Sequence, residues 1–100
     1  MASAASTAIL DRDGEWTSES QAVEAHHTKL RGIVFSDQAG TLNVEQSLDD
    51  ENWDLATAVA VEARKGAAVD VALLGRFWRL RYVNSSTRQG AFRVAAAAKP

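Results

Sequence analysis

Apolar and polar residues alternate with a period of two along most of this 100-residue chain. Residues 30–36 place Arg31, Ile33 and Phe35 on one face and Leu30, Gly32 and Val34 on the other. Residues 41–47 place Leu42 and Val44 inward. Between them Asp37-Gln38-Ala39-Gly40 forms a short loop whose glycine can take a positive φ, so the two strands are expected to pair as a β-hairpin. The same period recurs at Leu55, Thr57, Val59 and Val61, and at Val69, Val71 and Leu73. It returns at Trp78, Leu80 and Tyr82, set against Phe77, Arg79, Arg81 and Val83. Residues 91–98 are rich in alanine, but Phe92 and Val94 alternate with Arg93 and a proline follows, which favours a strand over a helix. Residues 20–30 lack a clear apolar stripe and read as a strand followed by a turn.

Seven or eight short strands, punctuated by turn signals every eight to twelve residues, predict an all-β fold, an antiparallel, jelly-roll-like β-sandwich. Residues 1–8 (MASAASTA) are small and polar and read as a flexible N-terminal arm, or as one that orders on a neighbouring subunit; residues 9–100 read as a single sandwich domain. The arm lacks the basic start and apolar centre of a secretory signal. The longest uninterrupted apolar run, residues 94–98, is far below the ~20 residues of a membrane-spanning helix, so no membrane partner is expected.

Composition narrows the chemistry. There is no cysteine, which excludes disulfides, thiolate catalysis and cysteine zinc sites. The net charge of −2 is unremarkable, but its distribution is not. Residues 1–62 hold twelve acids and three bases; residues 63–100 hold eight bases and one acid, Asp70. Either the two halves interleave and neutralise each other, or one subunit's acidic edge meets another's basic edge. An acidic chain repels phosphate at long range, so nucleic acid is not an expected partner.

His26 and His27 are adjacent; on a strand they would point to opposite faces, so no metal site is expected there. Asp49, Asp50, Glu51 and Asp54 crowd one turn, which reads as a solvated acidic loop without the spacing of a calcium loop. No catalytic residue, cofactor or metal ligand is expected, and the chain is read as a non-enzyme. Trp78 takes a core position. Trp53 and Trp16 are the aromatics most suited to an interface, and Arg79 and Arg81, extended by Arg76 and Arg93, suggest a basic contact patch for acidic partners.

Two blocks, RGIVFSDQAGTLNVEQSLDDENWD at 31–54 and RFWRLRYVNSSTRQGAFRV at 76–94, resemble a recurring β-sandwich module of tailed-bacteriophage virion proteins. The positions that carry the resemblance are Ser36, Asp37, Gly40, Thr41, Glu45, Gln46, Ser47, Asp49, Asn52, Trp53 and Asp54, then Arg79, Arg81, Tyr82, Val83, Asn84, Phe92 and Arg93. Asp50 departs from the pattern, which often has a small residue or glycine there, and residues 1–30 lie outside it. The resemblance implies a non-enzymatic part of a phage particle. The expected role is a capsid decoration protein on the outer surface of the assembled head, bound to the major capsid protein lattice and to copies of itself, with a trimer as the first guess. The alternative is a tail or baseplate module that binds host-surface carbohydrate.

Overall fold

The computed structural model describes residues 3–100, which form nine strands and no helix. They are β1 (Ser3–Ser6), β2 (Glu15–Thr17), β3 (Gln21–Ala22), β4 (Lys29–Ser36), β5 (Gly40–Ser47), β6 (Leu55–Val61), β7 (Ala67–Ala72), β8 (Phe77–Asn84) and β9 (Phe92–Lys99). Two antiparallel sheets face each other. Sheet A runs β1-β9-β4-β7 and sheet B runs β2-β8-β5-β6, with β3 also pairing with β8. The β-sandwich expected from the alternation is the fold, with nine strands rather than seven or eight.

The core follows from parity. Strand β8 buries Trp78, Leu80, Tyr82 and Asn84 and turns Phe77, Arg79, Arg81 and Val83 outward. Leu42 and Val44 from β5, Leu30 and Val34 from β4, and Phe92, Val94, Ala96 and Ala98 from β9 fill the space between the sheets. The alanines of β9 are a packing device: Gly32 of β4 lies so close to β9 that a Cβ there would overlap the Ala95 carbonyl and approach Ala96 Cα to 2.6 Å.

The hairpin expected across residues 37–40 does not form. β4 pairs with β7 and β9, while β5 pairs with β6 and β8, so the short loop is a corner between the two sheets. Period two assigns faces, not partners, and both strands are interior to their own sheets. Gly40 has no positive φ. It is needed because a Cβ would overlap the Tyr82 hydroxyl and lie 2.7 Å from the Val83 carbonyl. The true hairpin is β5–β6, joined by the acidic loop of residues 48–54.

The N-terminal segment also differs from expectation. Its first two residues lie outside the described ones, but residues 3–6 are an edge strand of the domain's own sheet, with Ser3 opposite Ala97 and Ser6 opposite Val94. A run of small residues can lie flat against the alanines of β9, and Ala4 packs on the core.

The opposed charge halves interleave. Basic β8 lies between acidic β2 and β5, and Arg31 of β4 lies opposite Asp70 of β7.

Candidate functional site

The positions matched by the sequence motif turn out to hold loops together. Gln46 is buried and its Oε1 accepts from Leu74 N at 2.7 Å and Gly75 N at 2.9 Å, while its Nε2 donates to the Ala72 carbonyl at 2.9 Å. This pins the β7–β8 connection. Ser47 Oγ accepts from the amides of Asp49 and Asp50. Asp49 in turn accepts from the amides of Glu51 and Asn52 and from Asn52 Nδ2. Those amide bonds, Asn52 first, hold the Asp49 carboxyl well below the usual carboxylate range. With its oxygens facing N–H donors, Asp49 is a turn-forming group rather than a cation ligand. Asp50 stands at φ 62°, the left-handed region glycine favours, which accounts for the glycine the motif often has there. At the opposite pole Asp37 accepts from Gly90 N at 3.0 Å, and the Gly90 and then Ala91 backbone lower its pKa. Asn84 Nδ2 donates to the carbonyls of Asp11 and Thr87, both at 2.9 Å.

The proposed basic patch is not a free patch. On the outer face of sheet B, Arg79 Nε donates to Glu45 Oε1 at 2.7 Å and Arg81 Nε to Glu45 Oε2 at 3.2 Å, and Arg81 Nη1 also pairs with Glu15. The hydrogen bonds to Glu15 and then Glu45 push the Arg81 pKa up. Arg79 also lies over the Trp53 ring, 4.2 Å from its centroid. The face is therefore a neutralised ladder, Glu15–Arg81–Glu45–Arg79–Trp53, in which Glu45 is only 8% exposed. Arg93 belongs to the other sheet, where it covers Phe35 at 4.4 Å, and exposed Arg76 lies in the β7–β8 connection. The four arginines do not form one surface: alternation placed Arg79 and Arg81 together, but no sequence signal placed β9 in the opposite sheet. Trp16 is half-buried at the open edge of the sandwich, pairs in register with Tyr82, and meets Phe92 edge-to-face at 6.5 Å.

An apolar surface that alternation alone does not single out lies on sheet A. Cross-strand register places Ala5, Ala95, Ile33 and Ala68 in one row from edge to edge of the sheet. Ile33 stands 66% exposed in the middle of it. Phe35 and Arg93 rim the row on one side, and Ala97, Arg31 and Asp70 on the other. The signal was the pair Ile33 and Phe35 on the same parity as Arg31. A second apolar cluster, Leu48, Leu55 and Leu74, is exposed at the pole where the acidic loop sits. Among the described residues no helix is long and apolar enough to cross a membrane.

His26 and His27 occupy a turn, not a strand, which overturns the reason for setting them apart. His27 N donates to the Glu24 carbonyl at 2.9 Å, and both imidazoles turn toward the Glu24 carboxylate.

Comparison with known proteins places this architecture. The chain is 38% identical over 66 residues to the phage-like element PBSX protein XepA of Bacillus subtilis strain 168; the match covers 65% of this chain and 24% of that protein. It is 33% identical over 66 residues to the YqxG protein of the same strain, again over 65% of this chain and 22% of the relative. The crystal structure of the PBSX exported protein XepA superposes with a TM-score of 0.87 at 28% identity, covering 96% of this chain and 36% of that one. The chain thus matches between about a fifth and just over a third of the length of these relatives. The family model described as "Uncharacterised protein YqxG N-terminal domain" matches residues 2–99. With a whole-domain match, a shared fold and relatives that include a protein of a phage-like element, the chain belongs to the YqxG N-terminal domain family.

Proposed function

We propose that this domain is a non-catalytic structural module of a phage-element product, acting as a capsid decoration protein on the outside of the assembled head. The observation that carries the reading is the edge-to-edge apolar row Ala5–Ala95–Ile33–Ala68 on sheet A, a flat surface with one protruding side chain and a charged rim. Such a surface suits a protein lattice: apolar contact supplies affinity, and the rim charges Arg31, Asp70 and Arg93 set orientation. A standard interface takes about 800 Å² from each partner. Binding only the assembled lattice stabilises it by mass action. The ion-paired arginines of sheet B support the same reading, because their charge is already satisfied and unsuited to nucleic acid.

A tail or baseplate role is favoured by a different observation. The relatives are several times longer than this domain, so the module also works as one part of a larger protein. In that reading Trp53 would stack host carbohydrate, although Arg79 already covers one side of its ring. The relative's description as an exported protein fits a location outside the cell or on the particle. Contacts with copies of itself, a trimer at a three-fold lattice position, complete the decoration proposal.

Quantitative mass spectrometry of purified particles, with heads and tails separated, tests it. Decoration requires a copy number on the order of the major head protein and release of the Ile33→Asp variant from heads. Few copies confined to the tail fraction, with glycan binding lost in Trp53→Ala, would replace it with the second reading. Absence from particles would overturn both.

A further inference from the structure

We infer that the turn between β3 and β4 is a divalent transition-metal site formed by Glu24, His26 and His27, suited to zinc(II). Three observations carry this. First, the backbone folds the ligands together: the Glu24–His27 β-turn, closed by the 2.9 Å hydrogen bond from His27 N to the Glu24 carbonyl, brings its first, third and fourth residues to one side. Second, the donor atoms converge without bonding one another. Nε2 of His26 and Nε2 of His27 each lie 4.0 Å from the same Glu24 Oε2, and one ligand atom from each residue falls within 4.8 Å of the others. A hydrogen bond needs about 3.2 Å or less, so these contacts are too long to be explained as one. Zinc–ligand bonds of about 2.0–2.2 Å place tetrahedral ligands about 3.3–3.6 Å apart. Closing the gap requires an inward movement of about an ångström. The exposed side chains can make it by rotation alone: His26 is 65% and Glu24 54% exposed. Third, His27 is anchored, with its side chain 9% exposed, so one ligand is already held in place.

The donor set selects the ion. Two imidazoles and one carboxylate suit zinc, copper, nickel or cobalt, not calcium or magnesium, which demand oxygen shells. Three protein ligands leave at least one position to water, as in an open zinc site. Buried His27 Nδ1 has no hydrogen-bond partner among the described residues, so the ring lacks the outer acceptor that strengthens most zinc-bound histidines. Loss of such a partner typically weakens binding about 10–100-fold, which places this site among weak, exchangeable ones rather than structural ones. The inference is independent of the particle role.

The test uses the domain without a histidine tag, titrated with zinc chloride by calorimetry. One equivalent is expected to bind, and His26→Ala, at a side chain 65% exposed, is expected to lower affinity at least about tenfold. Glu24→Gln should weaken it too. Zinc should raise the melting temperature of the wild type but not of His26→Ala, and calcium should raise neither. Equal zinc affinity in wild type and His26→Ala would overturn the site, as would calcium binding as tightly as zinc. His27→Ala serves as a further check only if its unliganded melting temperature is near wild type.

Discussion

Glu45 accepts hydrogen bonds from Arg79 at 2.7 Å and from Arg81 at 3.2 Å, one through each carboxylate oxygen, on the outer face of sheet B. The Glu45 side chain, only 11% exposed, is thus covered by its own partners, which lie across the strand pair β5–β8. Removing it leaves the Arg79 guanidinium without a carboxylate over Trp53 and Arg81 with Glu15 alone. Glu45→Ala is expected to destabilise the domain by about 2 kcal/mol, below the ~3–5 of a fully buried pair because the arginines stay partly in water. Urea melts of Glu45→Ala, Arg79→Ala and the double variant check this; a coupling energy near zero would show that the pair contributes nothing.

Asp49 gives the pH dependence. Its carboxyl is held low in the folded state by the Asn52 and Glu51 amides, so the ionised form stabilises the fold. That contribution is fully present above the unfolded value of about 3.9 and is lost as pH falls below it toward the folded value. The melting temperature is expected to fall between about pH 4 and 2, and more shallowly in Asp49→Asn. Identical slopes for the two proteins would assign the acid sensitivity to other carboxylates.

Asp50 occupies a left-handed conformation at φ 62°. A non-glycine residue there carries strain of about 1 kcal/mol, and glycine relieves it. Asp50→Gly is expected to leave stability unchanged or raise it by up to about 1 kcal/mol, whereas Asp50→Val should lower it by more than 1. Calorimetric melting temperatures of the two variants give the sign directly.

Faces are legible in this sequence; strand partners are not. The alternation in β8 gave Trp78, Leu80 and Tyr82 as core, and all three are fully buried. Strand pairing was not readable in the same way. Residues 37–40 look like a hairpin loop, yet β4 and β5 enter different sheets, because partner choice depends on distant strands. The same blindness grouped Arg93 with Arg79. Asp50 shows the reverse: a departure from a motif marked a backbone constraint that the structure then displayed. The Glu24–His27 cluster is not legible from alternation, because parity assigns faces on a strand and has no meaning in a turn.

Gly32 tests the contact between β4 and β9. A methyl group there would overlap the Ala95 carbonyl, which belongs to the backbone and cannot rotate away. Gly32→Ala is expected to cost at least about 3 kcal/mol, at the upper end for overpacking. A urea midpoint equal to wild type would show that β4 and β9 move apart at no cost to admit the methyl group.

Removing residues 2–8 is expected to weaken the fold itself. β1 shields the outer edge of β9 along Ser3–Ser6 and contributes Ala4 to the core. Its loss should cost about 1–2 kcal/mol and leave β9 as a bare edge that recruits other strands. Light scattering of the truncated domain should show concentration-dependent self-association; a stable monomer with wild-type melting would mean the strand is dispensable.

The pairing of Ser3 with Ala97 has a mechanical consequence. β1 and β9 are antiparallel neighbours, so the two chain ends leave the sandwich side by side. A tension that pulls them apart loads the β1–β9 hydrogen bonds one after another, starting at Ser3, and peels the strand away as a zip opens. Shear, in which every bond of a ladder bears the load together, arises only when force enters elsewhere, for example across the outer face of sheet A. A module docked by that face resists displacement with its whole sheet, while one tethered by its ends yields a residue at a time.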